Sequence, residues 1–409
     1  MRLAVVGNPG NRRVGLFAAA VRRAGLPAPR VLSWLELLTS HPEPFENHSL
    51  VRVEAAGEDE EVDRILRGSA TALAHGEIGG SAAWFAGFSA ALSRVEALAA
   101  GARLLSQPED IRVMFDKAAC HAKLSAAGIP VPPALGFAPS NWDALRSGCP
   151  WRRVFVKPRH GSSASGVIAL EFGGAGRVQA TTSVELAGGR LFNSLRVRRY
   201  RDERQIAAIV DRLAPDGLHV ERWYPKADLN GLVMDVRVVL VAGRPTHVVG
   251  RGSKSSPMTN LHLGGSRIDA AAIRAAAGEK AWFEAMQTCQ RVAALFPDTL
   301  QMGVDLMFGV GWRGHAIAEV NAFGDLLPGL LTDGRDTYDA QVAAMREIPT
   351  PTTAAPATAA STTAASTTAA SMTRTPTTAT PTTATPMTVV SETVRDGAAP
   401  SRTALRVMA

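Results

Sequence analysis

Three oxygen-bearing side chains, Asp305, Glu319 and Asn321, have the types and spacing of a metal site. Asp305 stands in the apolar segment GVDLMF, Glu319 and Asn321 stand in AIAEVN, and a glycine-rich turn (309–314) separates the segments. Such a pattern predicts a hairpin in which Glu319 and Asn321 share one face and Val320 points into a core. Two carboxylates and an amide oxygen suit Mg²⁺, which completes its shell with water and phosphate oxygens. Taken alone, the pattern also fits a hairpin with solvated polar residues.

The segment FVKPRHGSSASGV (155–167) has the features of a phosphate-binding loop. Lys157 lies near the end of an alternating strand, VFVKP, and a new strand starts at Val167. Small residues in the loop between two antiparallel strands let backbone N–H groups approach phosphate oxygens, and the lysine adds a point charge. The order GxxxxGK[ST] followed by a helix, which defines a Walker loop, is absent. An ordinary flexible hairpin turn is the alternative.

Two further segments have polar residues at the ends of expected strands. LHVERWYP (218–225) is a strand that can present backbone groups to an adenine edge beside Trp223, although a strand with a tryptophan is usually core. DVRVVLVAGRPTHVVGRG (235–252) is a hairpin in which Arg237 begins the first strand and Arg251 closes the second, followed by the polar loop SPMTNLHLGG. An arginine aimed at a transferring phosphoryl group would stabilise its negative charge.

Composition indicates a globular protein of a reducing compartment. The chain has 409 residues, of which 46% are hydrophobic and 20% charged, and its three scattered cysteines exclude a disulfide framework. No signal peptide or membrane span is evident, so we expect a cytoplasmic protein without a membrane partner. The net charge of +7 invites a nucleic-acid interpretation, but the arginine cluster at 196–204 is interleaved with acids, which favours a solvated helix or loop.

The first hundred residues alternate between expected strands and helices, which predicts a small doubly wound α/β domain. Strands are expected over 3–7, 29–34, 50–55 (alternating) and 102–106, and helices over 13–24, from 57 onward and over 81–100. The turn GNPGNRRVG (7–15) lacks the dinucleotide spacing GxGxxG. We interpret it as a tight turn, with a substrate contact as the alternative.

A domain junction is expected at residue 107. One amphipathic helix is predicted over 109–128, and from about residue 150 the chain is rich in strands, interrupted by one long helix, Ala270–Phe296. We therefore predict a domain over 1–107 and an α+β nucleotide-binding domain over 108–348, with a lid subdomain at about 150–220. The Thr/Ala/Pro-rich segment 349–409 has too few large apolar residues to fold and is predicted to be a disordered tail.

In their order along the chain, these segments resemble the ATP-grasp superfamily, and most closely its ribosomal-protein glutamate ligase and glutathione-synthetase-like branch. The resemblance covers about residues 108–331, and the α/β unit before it matches the family's preceding domain. The motifs that carry it are FDKAACHAKLSAAGIPVPP, FVKPRHGSSASGV, HVERWYP, MDVRVVLVAGR, TNLHLGG, GVDLMF and AIAEVN. It implies an ATP-grasp fold with an α/β pre-grasp domain, a small lid and an antiparallel-sheet ATP and metal subdomain.

The resemblance also implies roles for the residues that match family motifs. Arg237 and Arg251 match catalytic arginines at the phosphate and acyl-phosphate site. Asp305, Glu319 and Asn321 match a metal triad for Mg²⁺, with Mn²⁺ as an alternative. ATP contacts are implied for the lysines, the lid loop, the adenine hinge, a ribose position and one loop asparagine: Lys117, Lys157, Gly161, Ser162, Ser163, Gly166, Glu221, Arg222, Trp223, Asp228 and Asn260.

The activity implied is ATP-dependent ligation of a carboxylate to an amine through an acyl phosphate, with small-molecule or peptide substrates. Homodimers are common in the family. The chain departs from the family in NAFGDLLPG (321–329), where N-x-x-P-G is frequent, and at Glu221, where glutamine is common. These departures bear on acceptor recognition more than on ATP binding. An ATP-grasp small-molecule kinase and an ATP-binding regulatory or scaffold protein are the alternatives.

Overall fold

The computed structural model describes residues 1–161, 164–174, 176–323 and 327–348, apart from the side chain at position 262. The predicted disordered tail (349–409) lies outside these residues. Within the described ranges, no helix combines the length and apolar character that crossing a membrane requires. All three cysteines are unpaired, as their spacing predicted.

The N-terminal part is a four-stranded parallel sheet with helices on both faces, as the alternating pattern predicted. The strand order is β2-β1-β3-β5. Phe17 and Val21 of the first helix pack on one face, and Phe88 and Leu92 of the fourth pack on the other. The elements are β1 (Leu3–Val6), α1 (Arg12–Arg23), β2 (Arg30–Leu32), α2 (Trp34–Thr39), β3 (Leu50–Val53), α3 (Glu60–Leu66), β4 (Glu77–Ile78), α4 (Ser81–Leu98) and β5 (Arg103–Leu104).

The alternating exposure expected for the third strand is wrong. All four residues of β3 are buried, because it is an inner strand of a parallel sheet covered on both faces. Arg52 is accommodated there by an ion pair with Glu54 (Nη2–Oε1 2.6 Å) and by the ring of Phe17, whose centroid lies 4.8 Å from the guanidinium carbon.

Asp116 divides the single helix predicted over 109–128 into α5 (Pro108–Phe115) and α6 (Lys117–Ala126). Its backbone is extended, with φ −91° and ψ 100°, and pairs with His160 as an isolated β-bridge. The prediction of one continuous helix is therefore wrong. Because of the break, Lys117 lies at the first position of α6 and not in the middle of a helix.

The second sheet is antiparallel, has the order β10-β6-β7-β8-β9-β4 and contains the strands predicted for the lid. Strand β4 joins it from the N-terminal part, with Glu77 opposite Phe192. The boundaries of the lid remain a prediction. The other elements are α7 (Trp142–Gly148), β6 (Arg153–Pro158), β7 (Ile168–Phe172), β8 (Val178–Ala187), β9 (Arg190–Tyr200), α8 (Glu203–Leu213) and β10 (Leu218–Arg222).

Helices α7 and α8 pack on this sheet. Because α8 lies after residue 150, the prediction that one long helix interrupts the strands there is wrong. In α8, buried residues recur at helical spacing, namely Ile206, Ile209, Val210 and Leu213. The arginine-rich segment 196–204, predicted as a helix or loop, is the end of β9 followed by the start of α8.

The third sheet is antiparallel, with the order β14-β13-β12-β15-β16 and with β11 beside β12. One helix was predicted over 270–296, but Gly278, with φ 80° and ψ 155°, separates two helices. The last helix returns to the N-terminal part and packs on α1 through Tyr338 and Val342. The elements are β11 (Asp228–Leu229), β12 (Leu232–Val241), β13 (Arg244–Ser253), β14 (Ser266–Ile268), α9 (Ala270–Ala277), α10 (Glu279–Ala294), β15 (Gln301–Phe308), β16 (His315–Asn321) and α11 (Thr337–Arg346).

Candidate active site

A cavity of about 540 Å³ is lined by residues of the N-terminal part, the second sheet and the third sheet. This volume is in the range of small-molecule sites in proteins. Most of the residues predicted from the sequence line it, although they come from separate segments. They are Lys117, Lys157, Gly161, Glu221, Arg222, Arg237, Arg251, Asn260, Asp305, Glu319 and Asn321.

The β15–β16 hairpin brings Asp305, Glu319 and Asn321 to the cavity. Asp305 pairs in register with Glu319, and a bulge follows Asp305. Val320 is 1% exposed and belongs to the core, as the alternation predicted. The hairpin therefore presents two carboxylates and an amide from neighbouring strands.

The donor chemistry of these three residues fits a magnesium ion. Glu319 keeps 31% of its side chain exposed, and the buried Nδ2 of Asn321 has no partner among the described residues. A half-turn of that amide would offer Oδ1 in the same place. No cluster of three His, Cys, Asp or Glu side chains suitable for a metal occurs within the described residues. An ion here would thus depend on the asparagine amide and on oxygens from a bound phosphate.

Two arginines neutralise the carboxylate of Asp305. Arg237 donates to both of its oxygens, with Nη2 3.1 Å from Oδ2, and Nη2 of Arg251 also lies 3.1 Å from Oδ2. Burial raises the pKa of Asp305, but the charges of the two arginines outweigh burial and hold it well below its usual range. The resemblance assigned both arginines to phosphate groups. In the structure they are bound to an acid of the same wall, and a phosphate contact remains a prediction.

A second buried acid, Asp235, extends this network and was not among the predicted site residues. Nε of Arg251 donates to Oδ1 of Asp235 at 2.7 Å, and Thr259 donates to Oδ2. Nζ of Lys226 lies 3.5 Å from Oδ2 of Asp235 and 3.1 Å from Oγ1 of Thr259. Burial lowers the pKa of Lys226 in spite of the neighbouring carboxylate. The placement of Asp235 directly opposite Arg251 in the hairpin was a signal in the sequence.

Lys117 connects the loop after β6 with the β15–β16 hairpin. Its Nζ donates to the carbonyl oxygen of Gly161 at 2.7 Å and lies 3.3 Å from Oε1 of Glu319. This lysine therefore holds together two elements that the resemblance assigns to ATP and to the metal.

Lys157 is buried against Glu221. Its Nζ lies 2.6 Å from Oε2 of Glu221, and Nε2 of His219 lies 2.9 Å from Oε1. Burial raises the pKa of Glu221, but Lys157 and His219 outweigh burial and lower it to about 2. Burial likewise opposes the charge of Lys157, yet Glu221 raises the pKa of the lysine above its ordinary value. The lysine is thus held charged by a carboxylate at the position where the family commonly has glutamine.

The predicted lid loop is only partly within the described residues. Ser162 and Ser163 lie outside them, while Ala164 and Ser165 line the cavity. Gly166 has φ +74°, and a Cβ there would lie 2.5 Å from Cγ of Pro158. Among the residues described, Gly166 is not part of the cavity wall, so its contribution is to the turn.

In the segment predicted as the adenine hinge, the backbone N–H groups of two residues bond to other parts of the chain. The N–H of Arg222 donates to the carbonyl of Pro133 at 2.7 Å, and the N–H of Trp223 donates to that of Arg153 at 3.0 Å. Within the described part of the chain, Trp223 does not line the cavity. Its ring packs against Arg153, whose Cζ lies 4.0 Å from the ring centroid. Tyr224 lines the cavity instead.

Asp228, predicted at the ribose, is exposed on β11 and is also outside the cavity wall formed by the described residues. Lys226, two residues earlier, lines the cavity.

The N-terminal part supplies one end of the cavity through residues that sequence reasoning missed. Arg13, Glu58, Arg67, Ser81 and Trp84 line this end. Arg13 belongs to the segment GNPGNRRVG, for which a substrate contact was the alternative interpretation. The others carry no motif, because only the fold brings them together.

Comparison with solved structures places this geometry in a known fold. The crystal structure of the D-cycloserine synthetase DcsG superposes with a TM-score of 0.53 at 19% identity, covering 84% of this chain and 99% of that one. The chain has the ATP-grasp fold.

Other solved structures with the ATP-grasp description are also similar. The ATP-grasp ligase PsnB complexed with minimal precursor has a TM-score of 0.49 at 16% identity, covering 84% of this chain and 99% of that one. A RimK domain ATP-grasp protein from Sphaerobacter thermophilus has a TM-score of 0.47 at 14% identity, covering 83% and 98%. No protein-family model and no curated protein matches the sequence. At these identities the likeness concerns the fold alone.

Proposed function

We propose that this protein is an ATP-dependent carboxylate–amine ligase that requires Mg²⁺ and releases ADP and phosphate. Its substrates are a small-molecule or peptide acid and an amine. The proposal is carried by one observation: in a chain with the ATP-grasp fold, two lysines, two carboxylates and an asparagine line the same cavity. Cations for phosphate oxygens and hard-oxygen ligands for a metal meet there.

The side chains have distinct parts in this proposal. Lys117 and Lys157 would hold the phosphates of ATP, and both are already fixed by contacts with Gly161, Glu319 and Glu221. Mg²⁺, when bound, would neutralise charge on the phosphate oxygens.

Arg237 and Arg251, ordered by the acids of the third sheet, would stabilise negative charge on the transferring phosphoryl group. The activation free energy of phosphoryl transfer would then be lowered by positioning and electrostatics, without a protein nucleophile.

The reaction would proceed in two displacements. A carboxylate oxygen of the acid attacks the γ-phosphorus, and the bond from that phosphorus to the β–γ bridging oxygen breaks, leaving ADP and an acyl phosphate. The amine nitrogen then attacks the carbonyl carbon, and the bond from that carbon to the oxygen bridging it to phosphorus breaks. Phosphate leaves with this oxygen, and the nitrogen loses a proton to solvent.

The test is an ADP-release assay against pools of amino acids and short peptides, with each pool serving as acid and as amine. A ligase gives ADP, inorganic phosphate and an amide in equal amounts. ADP with a stable phosphorylated product and no inorganic phosphate would point to a kinase. Thermal stabilisation by ATP and Mg²⁺ without ADP from any pool would point to a binding protein. Either of the last two results contradicts the proposal.

A further inference from the structure

The N-terminus of α4 is a positively polarised end of the cavity. The helix has 18 residues, and its N-cap, Gly80, makes no side-chain capping hydrogen bond. Arg67 lies beside Gly80 and donates to the carbonyl oxygen of Gly79, so its charge adds to the helix dipole. Two acids lie nearby: Asp63 pairs with Arg67, and Oδ1 of Asp216 accepts the N–H of Ala82 at 3.2 Å.

Ser81, the first residue of α4, lines the cavity with its hydrogen-bonding capacity unmet. Its Oγ is buried and has no partner among the described residues. An unsatisfied buried polar group destabilises the protein. A ligand that satisfies this hydroxyl would remove that destabilisation.

His160 is a second unmet group on the same cavity wall. The residue is 8% exposed, and neither ring nitrogen has a hydrogen-bond partner among the described residues. Its Nε2 lies 3.7 Å from Oδ2 of Asp116, beyond hydrogen-bonding distance, and that carboxylate already accepts from Arg159. The ring is fixed by stacking on Phe85, with centroids 4.0 Å apart and planes at 10°.

These two groups lie close together and next to the phosphate lysine. Phe85 follows Ser81 by four residues on α4, so both occupy one helix face, and His160 stacks on that face. The backbone of His160 pairs with Asp116, the residue before Lys117. An anion held here would therefore lie beside the lysine that we assign to ATP.

We propose that Ser81, His160 and the N-terminus of α4 bind the carboxylate of the acid substrate. Arg67 and Lys117 are cations at the cavity wall, where they pair with Asp63 and Glu319. The other acids at this end of the wall also have partners: Asp216 accepts from the α4 backbone, Glu77 pairs with Arg190, and Glu58 accepts from Asn11. Among the described residues at this end, the groups left with unmet hydrogen bonds to offer an anion are therefore Ser81 and His160. The proposal rests on the proposed ligase function for the identity of the anion.

Turnover with hydroxylamine as the amine tests this assignment. The proteinogenic amino acids and their N-acetyl forms are supplied singly, and the hydroxamate product is measured. His160→Phe keeps the stacking on Phe85 and removes both nitrogens, and Ser81→Ala removes the hydroxyl. Each should raise the KM of the acid about 10- to 100-fold, the range for a hydrogen bond to a charged group. The Kd of ATP with Mg²⁺, measured by calorimetry, should stay within about twofold.

Two variants serve as controls. Ser89, on the same helix, also has a buried Oγ without a partner among the described residues but is not in the described cavity wall, so Ser89→Ala should match wild type. His160→Gln keeps an N–H donor, so its KM for the acid should lie between those of the wild type and His160→Phe. An unchanged KM in His160→Phe and Ser81→Ala, or a Kd of ATP that rises as much as the KM, overturns the proposal.

Binding of acetate separates this subsite from the ligase activity. Acetate is observed by saturation-transfer NMR on protein saturated with ADP and Mg²⁺. The wild-type signal should be lost in the Ser81→Ala, His160→Phe double variant and kept in Ser89→Ala. No signal in the wild type, or an equal signal in the double variant, overturns the subsite. Absence of hydroxamate from every acid, with acetate binding intact, would instead refute the ligase function.

Discussion

Replacing Glu221 by glutamine should strengthen ATP binding, although it removes a buried ion pair. Lys157 donates to Glu221 at 2.6 Å, so an ATP phosphate that also contacts this lysine would lie roughly 5 Å from the carboxylate. Two like charges at that separation repel by about 3 kcal/mol at an effective dielectric constant of about 20. The lysine and water in the cavity screen part of this repulsion. We therefore expect a gain of about 1–2 kcal/mol, or about 5- to 30-fold in Kd.

The same substitution should lower stability without nucleotide. Glu221→Gln leaves Lys157, whose side chain is 13% exposed, without the carboxylate it is paired with, and removing one partner of a buried pair typically costs about 3–5 kcal/mol. ATP would restore a counter-charge, so the variant should gain more thermal stability from ATP than the wild type does. Tighter ATP binding together with lower stability in the absence of ATP is the combination that this charge repulsion predicts.

Calorimetric titration with ATP and Mg²⁺ measures the affinity, and thermal melting with and without ATP measures the stability. Glu185→Gln is the matched control, because Glu185 pairs with Arg198 at an exposed site of the same sheet and should leave ATP binding unchanged. Equal or weaker ATP binding by Glu221→Gln would refute the reasoning. Glu221 would then position Lys157 for the phosphates and not compete with them.

Three further predictions concern stability. The pKa values of Glu221 and Asp305 are lowered on folding, so the stabilisation that they provide is complete above about pH 4.5 and is lost as the pH falls towards 2. For Glu221 this stabilisation amounts to about 3 kcal/mol, and an equal free energy of unfolding by urea at pH 7 and pH 3 would contradict it. Asp305→Asn deprives two buried arginines of a counter-charge and should lower the unfolding free energy by about 3–4 kcal/mol in the same assay, whereas a loss under about 1 kcal/mol would count against the network. Gly87→Ala places a Cβ 2.1 Å from the carbonyl oxygen of Leu66 and should cost about 1–3 kcal/mol, while Gly15→Ala, in open space, should not destabilise; equal melting temperatures would disprove the close packing of α3 and α4.

The hairpin that carries Asp305, Glu319 and Asn321 was predictable because its signals are local. Strand alternation fixes which residues share a face, and a short glycine-rich turn makes the two strands neighbours. The same reasoning identified the hairpin with Arg237 and Arg251. It did not reveal that both arginines bind Asp305, since the pairing joins two hairpins through the sheet order.

Other features depend on contacts that periodicity does not contain. Asp116 breaks a helical pattern because its carboxylate caps α6 and its backbone pairs with His160, and both partners are visible only in the fold. Ser81 and Arg67 reach the cavity for the same reason. Helix α8 is a different case: its apolar spacing is present in the sequence, directly after the arginine cluster at 196–204.

The central claim is that the β15–β16 hairpin and the lysines form a working ATP and metal site. It is tested most directly by the rate of ADP release of Glu319→Ala with the pool that is most active in the wild type. Glu319 forms an ion pair with Lys117 and offers a carboxylate to the metal, so the rate should fall at least about 100-fold with an unchanged far-ultraviolet circular dichroism spectrum. A folded Glu319→Ala variant that releases ADP at the wild-type rate would contradict the claim.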